Sequence, residues 1–202
     1  QKMWSNVDRI QCPFCHFSEE DGVTSPREGW RSKTNKFSVY DVNRIIFPDS
    51  CWANEELYKL GGAHKIETAL KIAKGEIDSF AGVPLVVSVN IGFQAGQNYP
   101  HLHYHLQSVF GKKHASGTAD KLRELYKHKL NLVLFDEEIS VAVGGVRSGQ
   151  CFIYPRSTSG DMSLSKIASV VHRLVTHAKK KFRSIQGLPP DFTIALYFEK
   201  GR

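Results

Sequence analysis

The chain repeats itself, and that repeat limits its fold more than any other feature. Ile45-Ile46-Phe47-Pro48-Asp49-Ser50 returns 107 residues later as Phe152-Ile153-Tyr154-Pro155-Arg156-Ser157. The same offset carries a helix start at residue 54 to residue 161, and the apolar strand 85–89 to residues 192–196. Strand, proline, helix and strand thus occur twice in one register, which favours an internal duplication over chance. The expected fold class is α+β: an antiparallel sheet with a packed helix, duplicated in tandem. The two units are residues 1–110 and 111–202. The second is degenerate. It ends before it could repeat residues 101–107, and Ala119 stands where the first unit has Cys12.

Between these landmarks the pattern reads as follows. Residues 18–36 are polar, broken by Gly22, Pro26 and Gly29, and read as a long loop. Residues 37–40 and 44–47 form a hairpin about Asp41-Val42-Asn43. Asn54 is a candidate N-cap, with Glu55 and Glu56 suited to a helix N-terminus. Leu57, Leu60, His64, Ala69, Leu70, Ala73 and Ile77 recur at helical spacing to about residue 79, with Gly61-Gly62 an early break. Residues 85–89 and 101–109 are strands. In the second unit, 111–117 is a linker and Thr118 caps a helix to Lys129. Residues 130–135 and 139–143 form a hairpin, and 151–154 a strand. A long amphipathic helix from Leu164 to Phe182 and a closing strand 192–198 follow.

Charge divides between the units. Residues 1–107 hold 11 Lys/Arg and 12 Asp/Glu, a net of −1, while residues 108–202 hold 16 and 8, a net of +8. The basic half, with Lys112-Lys113 and Lys179-Lys180-Lys181, is a candidate docking surface for nucleic acid or another phosphate-rich partner. At 41% hydrophobic and 23% charged, the chain as a whole is neither disordered nor collagen nor coiled coil. No apolar run of about 18 residues occurs, so no membrane partner is expected. Gln1-Lys2-Met3-Trp4-Ser5-Asn6 has no apolar core of a secretory signal. A reducing intracellular compartment, such as the cytoplasm, is therefore expected, and there Cys12-Pro13-Phe14-Cys15 favours a metal over a disulfide.

The chemistry concentrates in His101-Leu102-His103-Tyr104-His105-Leu106-Gln107. On a strand, alternate residues share a face. Three histidines therefore point one way while Leu102, Tyr104 and Leu106 point into a core. Immediately upstream, Asn90-Ile91-Gly92-Phe93-Gln94-Ala95-Gly96-Gln97-Asn98 is a glycine-spaced turn carrying amides able to donate to phosphate oxygens.

Asn90-x-Gly92-x-x-x-Gly96-Gln97-Asn98-x-x-His101-x-His103-x-His105 resembles the histidine triad superfamily of nucleotide hydrolases and transferases. The tandem layout resembles its galactose-1-phosphate uridylyltransferase branch. The resemblance implies a nucleotide or nucleotide-conjugate substrate, such as a nucleoside phosphoramidate, a dinucleoside polyphosphate or a nucleotide sugar. It implies that His103 attacks the α-phosphorus to give a nucleotidyl-histidine. His105 would bond the phosphoryl group and assist the leaving group. Gln97 and Asn98 would orient phosphate oxygens, and Asn90 would brace the site. The transferase branch carries Gln where this chain has His105, so the motif points towards the hydrolases while the tandem layout points towards the transferases. The duplication makes the chain a pseudo-dimer and leaves room for a homodimer.

The resemblance also implies structural zinc. Cys12 and Cys15 supply two thiolates, and the first triad histidine, His101, is a third ligand. The fourth is a histidine shortly after the strand–proline segment in zinc-containing members; the matching position here is Cys51. A closed four-ligand zinc of this kind braces a fold and leaves no coordination site for activating water. The alternatives are a Cys12/Cys15 redox pair with Cys51 a buried thiol, or His16 or His64 as replacement ligands. Cys151 reads as a core residue.

Overall fold

The structure, a computed structural model, describes residues 12–18, 22–36, 38, 40–80, 85–92, 95, 97, 99, 101–108, 130–135, 139–144, 151–155, 163–181 and 192–198. The expected linker 111–117, the helix from Thr118, the turn at 136–138 and Asn98 lie outside the described residues.

A five-stranded antiparallel sheet is built from β1 (Trp30–Thr34), β2 (Asn43–Pro48), β3 (Leu85–Ile91), β4 (Tyr104–Ser108) and β8 (Phe192–Phe198), in the order β1-β2-β4-β3-β8. A separate three-stranded sheet holds β5 (Leu130–Phe135), β6 (Ile139–Gly144) and β7 (Cys151–Pro155). Among the described residues two α-helices, α1 (Gly62–Asp78) and α2 (Leu164–Lys181), complete a mixed α+β fold.

The two faces of the larger sheet carry different cores. Ile46, Leu85, Val87, Val89, Tyr104 and Leu106 are buried in one cluster with the apolar stripes of α1 and α2. This is the face that the alternation in residues 101–107 assigns to Leu102, Tyr104 and Leu106, all of them buried. On the other face Ile45 and Phe47 pack with Cys12 and Phe14 in a smaller cluster. One row of register partners crosses the whole sheet on that second face: Lys33, Ile45, His105, Ser88 and Ala195.

β3 and β8 lie 107 residues apart at both ends, and they pair antiparallel with Ser88 opposite Ala195 at the centre. Leu85 faces Phe198 and Ile91 faces Phe192. Strands related by the sequence repeat thus meet about a local two-fold axis. In the first unit β4 sits between β2 and β3. The matching strands β7 and β8 have no such strand between them among the described residues, and they fall in separate sheets.

Several expectations are corrected. Residues 30–34, read as loop, are β1, and they rather than 37–40 pair with β2. Only Trp30 and Ser32 of β1 are buried, so the polar segment shows no apolar alternation. Ser32 is accommodated by polar partners: its hydroxyl donates to Glu76 at 2.7 Å and accepts from Arg44 at 2.7 Å.

The helix expected from Asn54 is instead a 3-10 turn, Asn54–Tyr58, followed by α1 beginning at Gly62. Gly61, with φ +86°, is the left-handed residue that separates them, which only glycine adopts without strain. Ala53 takes the capping position without a side-chain bond, while Asn54 bonds elsewhere. Leu60 and His64, counted on the apolar stripe, are exposed. Strand β4 begins at Tyr104, so His101 and His103 lie on the extended segment leading into it. That segment is tied to residues 52–53 by the Leu102 N–H to Trp52 carbonyl bond at 2.8 Å and a bridge between Ala53 and His101.

Candidate active site and metal centre

The knuckle at residues 12–16 is a tight turn in which the N–H groups of Cys15 and His16 both donate to the Cys12 carbonyl at 3.0 Å. That turn aims two thiols at one point. His101 Nδ1 lies 3.3 Å from Cys12 Sγ and 3.3 Å from Cys15 Sγ. The three ligand atoms all lie within 4.8 Å of one another. Tetrahedral zinc, with bonds of about 2.3 Å to sulfur and about 2.0 Å to nitrogen, needs sulfur–nitrogen edges of about 3.5 Å. The donor set and its spacing fit such an ion.

Cys51 is exposed and is not among those three. Burial, followed by the Cys51 and Cys12 thiols, holds the Cys15 thiol far above its ordinary value. Such a group ionises readily only beside a cation, which a bound metal supplies. His16 and His64 are both exposed. Cys151 lies in β7.

Phe14, inside the C-x-x-C turn, joins this centre to the triad. Its ring stacks on His103 with centroids 4.6 Å apart, meets His101 edge-on at 5.3 Å and leans on Phe47 at 5.3 Å. Tyr99 covers its edge at 6.0 Å. Lys33 of β1 places its Nζ over the Phe14 and Phe47 rings and donates to the Pro13 carbonyl at 3.0 Å. No sequence signal singled out Phe14 or Lys33; the interior of the C-x-x-C and a polar strand gave no reason to.

His103 is 5% exposed. Its Nδ1 lies 2.7 Å from the His101 backbone carbonyl. A carbonyl only accepts, so Nδ1 carries the proton and Nε2 carries the free lone pair. Burial, with His105 and Lys33 adding repulsion, pushes the His103 pKa down to about 3. Burial pushes His101 down to about 4, with the Pro48 backbone acting weakly the other way. The His105 imidazole is also lowered by burial. The ring meets that of His103 at 5.0 Å, and its buried Nδ1 has no hydrogen-bond partner among the described residues. The site therefore presents two adjacent neutral imidazoles, one locked in tautomer and one with an unbonded nitrogen.

The expected amides are placed differently from one another. Asn90 is half-buried, and its Oδ1 accepts from Thr193 of β8 at 2.9 Å. Gln97 is 1% exposed, and its amide is engaged at both ends. Oε1 accepts from the Gly92 N–H at 2.9 Å and from Asn54 Nδ2 at 2.8 Å. Nε2 donates to Asn54 Oδ1 at 2.9 Å and to the His101 carbonyl at 3.3 Å. Gly92 turns the chain out of β3 with φ +95°.

No family model and no curated protein matches this chain. Its fold does match solved structures. An ADP-glucose phosphorylase from Arabidopsis thaliana with bound ADP-glucose aligns at a TM-score of 0.64 and 15% identity, covering 91% of this chain and 71% of that one. A GalT-like protein from the same plant aligns at 0.63 and 15%, covering 91% and 73%. Ap4A phosphorylase from yeast aligns at 0.57 and 15%, covering 92% and 60%. The chain shares the α+β fold of these structures, as the motif led us to expect. Among the described residues no helix is long and apolar enough to cross a membrane.

Proposed function

We propose that this chain is a histidine-triad enzyme that cleaves or transfers at the α-phosphate of a nucleotide conjugate. The observation that carries the reading is the locked His103. With Nδ1 held by the His101 carbonyl, Nε2 is the nucleophilic nitrogen and stays unprotonated at neutral pH. Nε2 forms a bond to the α-phosphorus while the bond from phosphorus to the leaving oxygen breaks, and that oxygen takes up a proton. Water or another acceptor then attacks phosphorus, the N–P bond breaks, and His103 is regenerated. His105, neutral and beside His103, bonds the phosphoryl oxygens and assists the leaving group. Asn90 braces the site from β3, and Asn98 supplies a further amide to phosphate. Gln97 serves this site from beneath, since its amide is already bonded.

Zinc, held by Cys12, Cys15, His101 and Cys51, is the proposed structural metal. Its chemistry would be to fix the strand that bears His103, since a metal-bound His101 cannot rotate. Hydrolysis is favoured over transfer by His105, which stands where the transferase branch carries Gln. The fold neighbours described above include phosphorylases, and their enzymatic character supports the coarser reading. A homodimer is compatible with this reading.

Replacing the nucleophile tests the proposal. His103→Ala should release mononucleotide from a panel of dinucleoside polyphosphates, nucleotide sugars and phosphoramidates at least ~1000-fold more slowly than wild type, the loss expected when a covalent nucleophile is removed. Equal rates would overturn it. The second reading, nucleic-acid docking through the basic half, draws on one feature: His172, Arg173, His177 and Lys180 line an open groove along α2. Binding of that kind would weaken steeply with salt.

A further inference from the structure

We propose that Asn54 is a positioning residue that sets the orientation and tautomer of His103 through Gln97; its catalytic consequence rests on the function proposed above. The argument begins with two backbone groups whose roles are unambiguous. The Gly92 N–H can only donate and the His101 carbonyl can only accept, so Gln97 must present Oε1 to the first and Nε2 to the second. Asn54 then meets Gln97 in a reciprocal amide pair, Nδ2 to Oε1 at 2.8 Å and Oδ1 to Nε2 at 2.9 Å. Every donor and both lone pairs of the Gln97 amide are thereby used, which is what a side chain 1% exposed requires.

The His101 carbonyl is the shared element. It accepts from Gln97 Nε2 and, at 2.7 Å, from His103 Nδ1. An unbroken chain of hydrogen bonds therefore runs from the 3-10 turn, through the glycine turn after β3, to the nucleophile's ring. Asn54 reaches across 43 residues of sequence to make its two bonds. It holds the Gln97 amide in the only orientation that satisfies Gly92 and His101 together. If the amide turned over, its Oε1 would face the His101 carbonyl and its Nε2 the Gly92 N–H. The carbonyl would move, and the bond that protonates His103 at Nδ1 would loosen. His103 would then populate the other tautomer, with Nε2–H and no lone pair towards phosphorus.

The isosteric variant Asn54→Asp separates orientation from packing. It keeps volume and shape, but sets a carboxylate oxygen against Gln97 Oε1 where an amide N–H had been. We expect the His103 Nδ1–H signal in nitrogen-15 NMR of the full chain to shift to a mixture of tautomers. We expect kcat to fall roughly 10–100-fold, the usual cost of removing an outer partner of a working histidine, with KM changing less than twofold. Asn54→Ala, which removes both bonds without adding a repulsive oxygen, should show the same tautomer change in milder form. A merely structural role would lower melting temperature and leave the ring signature and kcat of the folded fraction unchanged. That result, or a mixed tautomer with unchanged kcat, would overturn the proposal. If wild type turns over no nucleotide, the functional reading fails while the ring-nitrogen signature still decides whether Asn54 positions His103.

Discussion

His105 shows how burial alone can bias an imidazole. Its pKa lies below the ordinary value of 6.5 because burial disfavours the cation, and its buried Nδ1 has no hydrogen-bond partner among the described residues. The sign for stability follows directly. Well above the ordinary imidazole range, folded and unfolded chains both hold this ring neutral, and the group does not affect stability. As pH falls, the unfolded chain takes up a proton that the folded chain resists, so stability is lost. His105→Gln removes the titrating group. Its urea midpoint should therefore fall less between about pH 7.5 and about pH 5 than that of wild type. Parallel curves would mean that His105 is not buried as described. At this scale the sequence was informative wherever residue type and spacing implied one geometry: the three histidines alternate, and Cys12, Cys15 and His101 converge. It was misleading at Asn54, because the residue types that cap helices also pair with amides, and nothing local distinguishes the two uses.

Among the elements, α1 depends on its contacts more than on its propensity. The apolar stripe of α2 from Leu164, and the strands β3 and β8, were legible because apolar residues recur at one period over many positions. β1 was not, because a strand at a sheet edge with Ser32 buried against Glu76 and Arg44 carries no such pattern. The Arg44–Glu76 ion pair beside it, at 2.9 Å and partly exposed, contributes at most about 1 kcal/mol, so register there is set by Trp30 and β2 pairing. Gly62 opens α1 at a crowded point. A Cβ there would lie 2.4 Å from the Leu57 carbonyl oxygen and 2.8 Å from the His172 ring of α2. Helix propensity alone predicts that Gly62→Ala gains up to about 1 kcal/mol. Contact with a backbone oxygen reverses that sign, so we expect a loss of roughly 1–3 kcal/mol, read from chemical denaturation. A gain would show that the turn and the two helices can move apart freely.

For the molecule as a whole, the N-terminal and C-terminal parts of the chain are joined through strand pairing. β8 completes the larger sheet next to β3, and α2 packs on the same core as α1. Thr193 of β8 bonds Asn90 on the site's own strand, so the C-terminal strand contributes to the site's surroundings. The 107-residue offset pointed to two copies. It could not show that they meet about β3 and β8, because equivalent strands carry the same pattern whether or not they touch. Charge separation is legible at the same scale: the near-neutral half holds Cys12, Cys15 and the three alternating histidines, and the net +8 lies with the other. The central claim is that His103 becomes covalently bound to a nucleotide. Intact-mass analysis of protein quenched in acid-free conditions during exposure to nucleotide conjugates should show wild type gaining one nucleoside monophosphate, and His103→Ala gaining none. An adduct that persists in His103→Ala, or none in wild type while product still accumulates, would contradict the account.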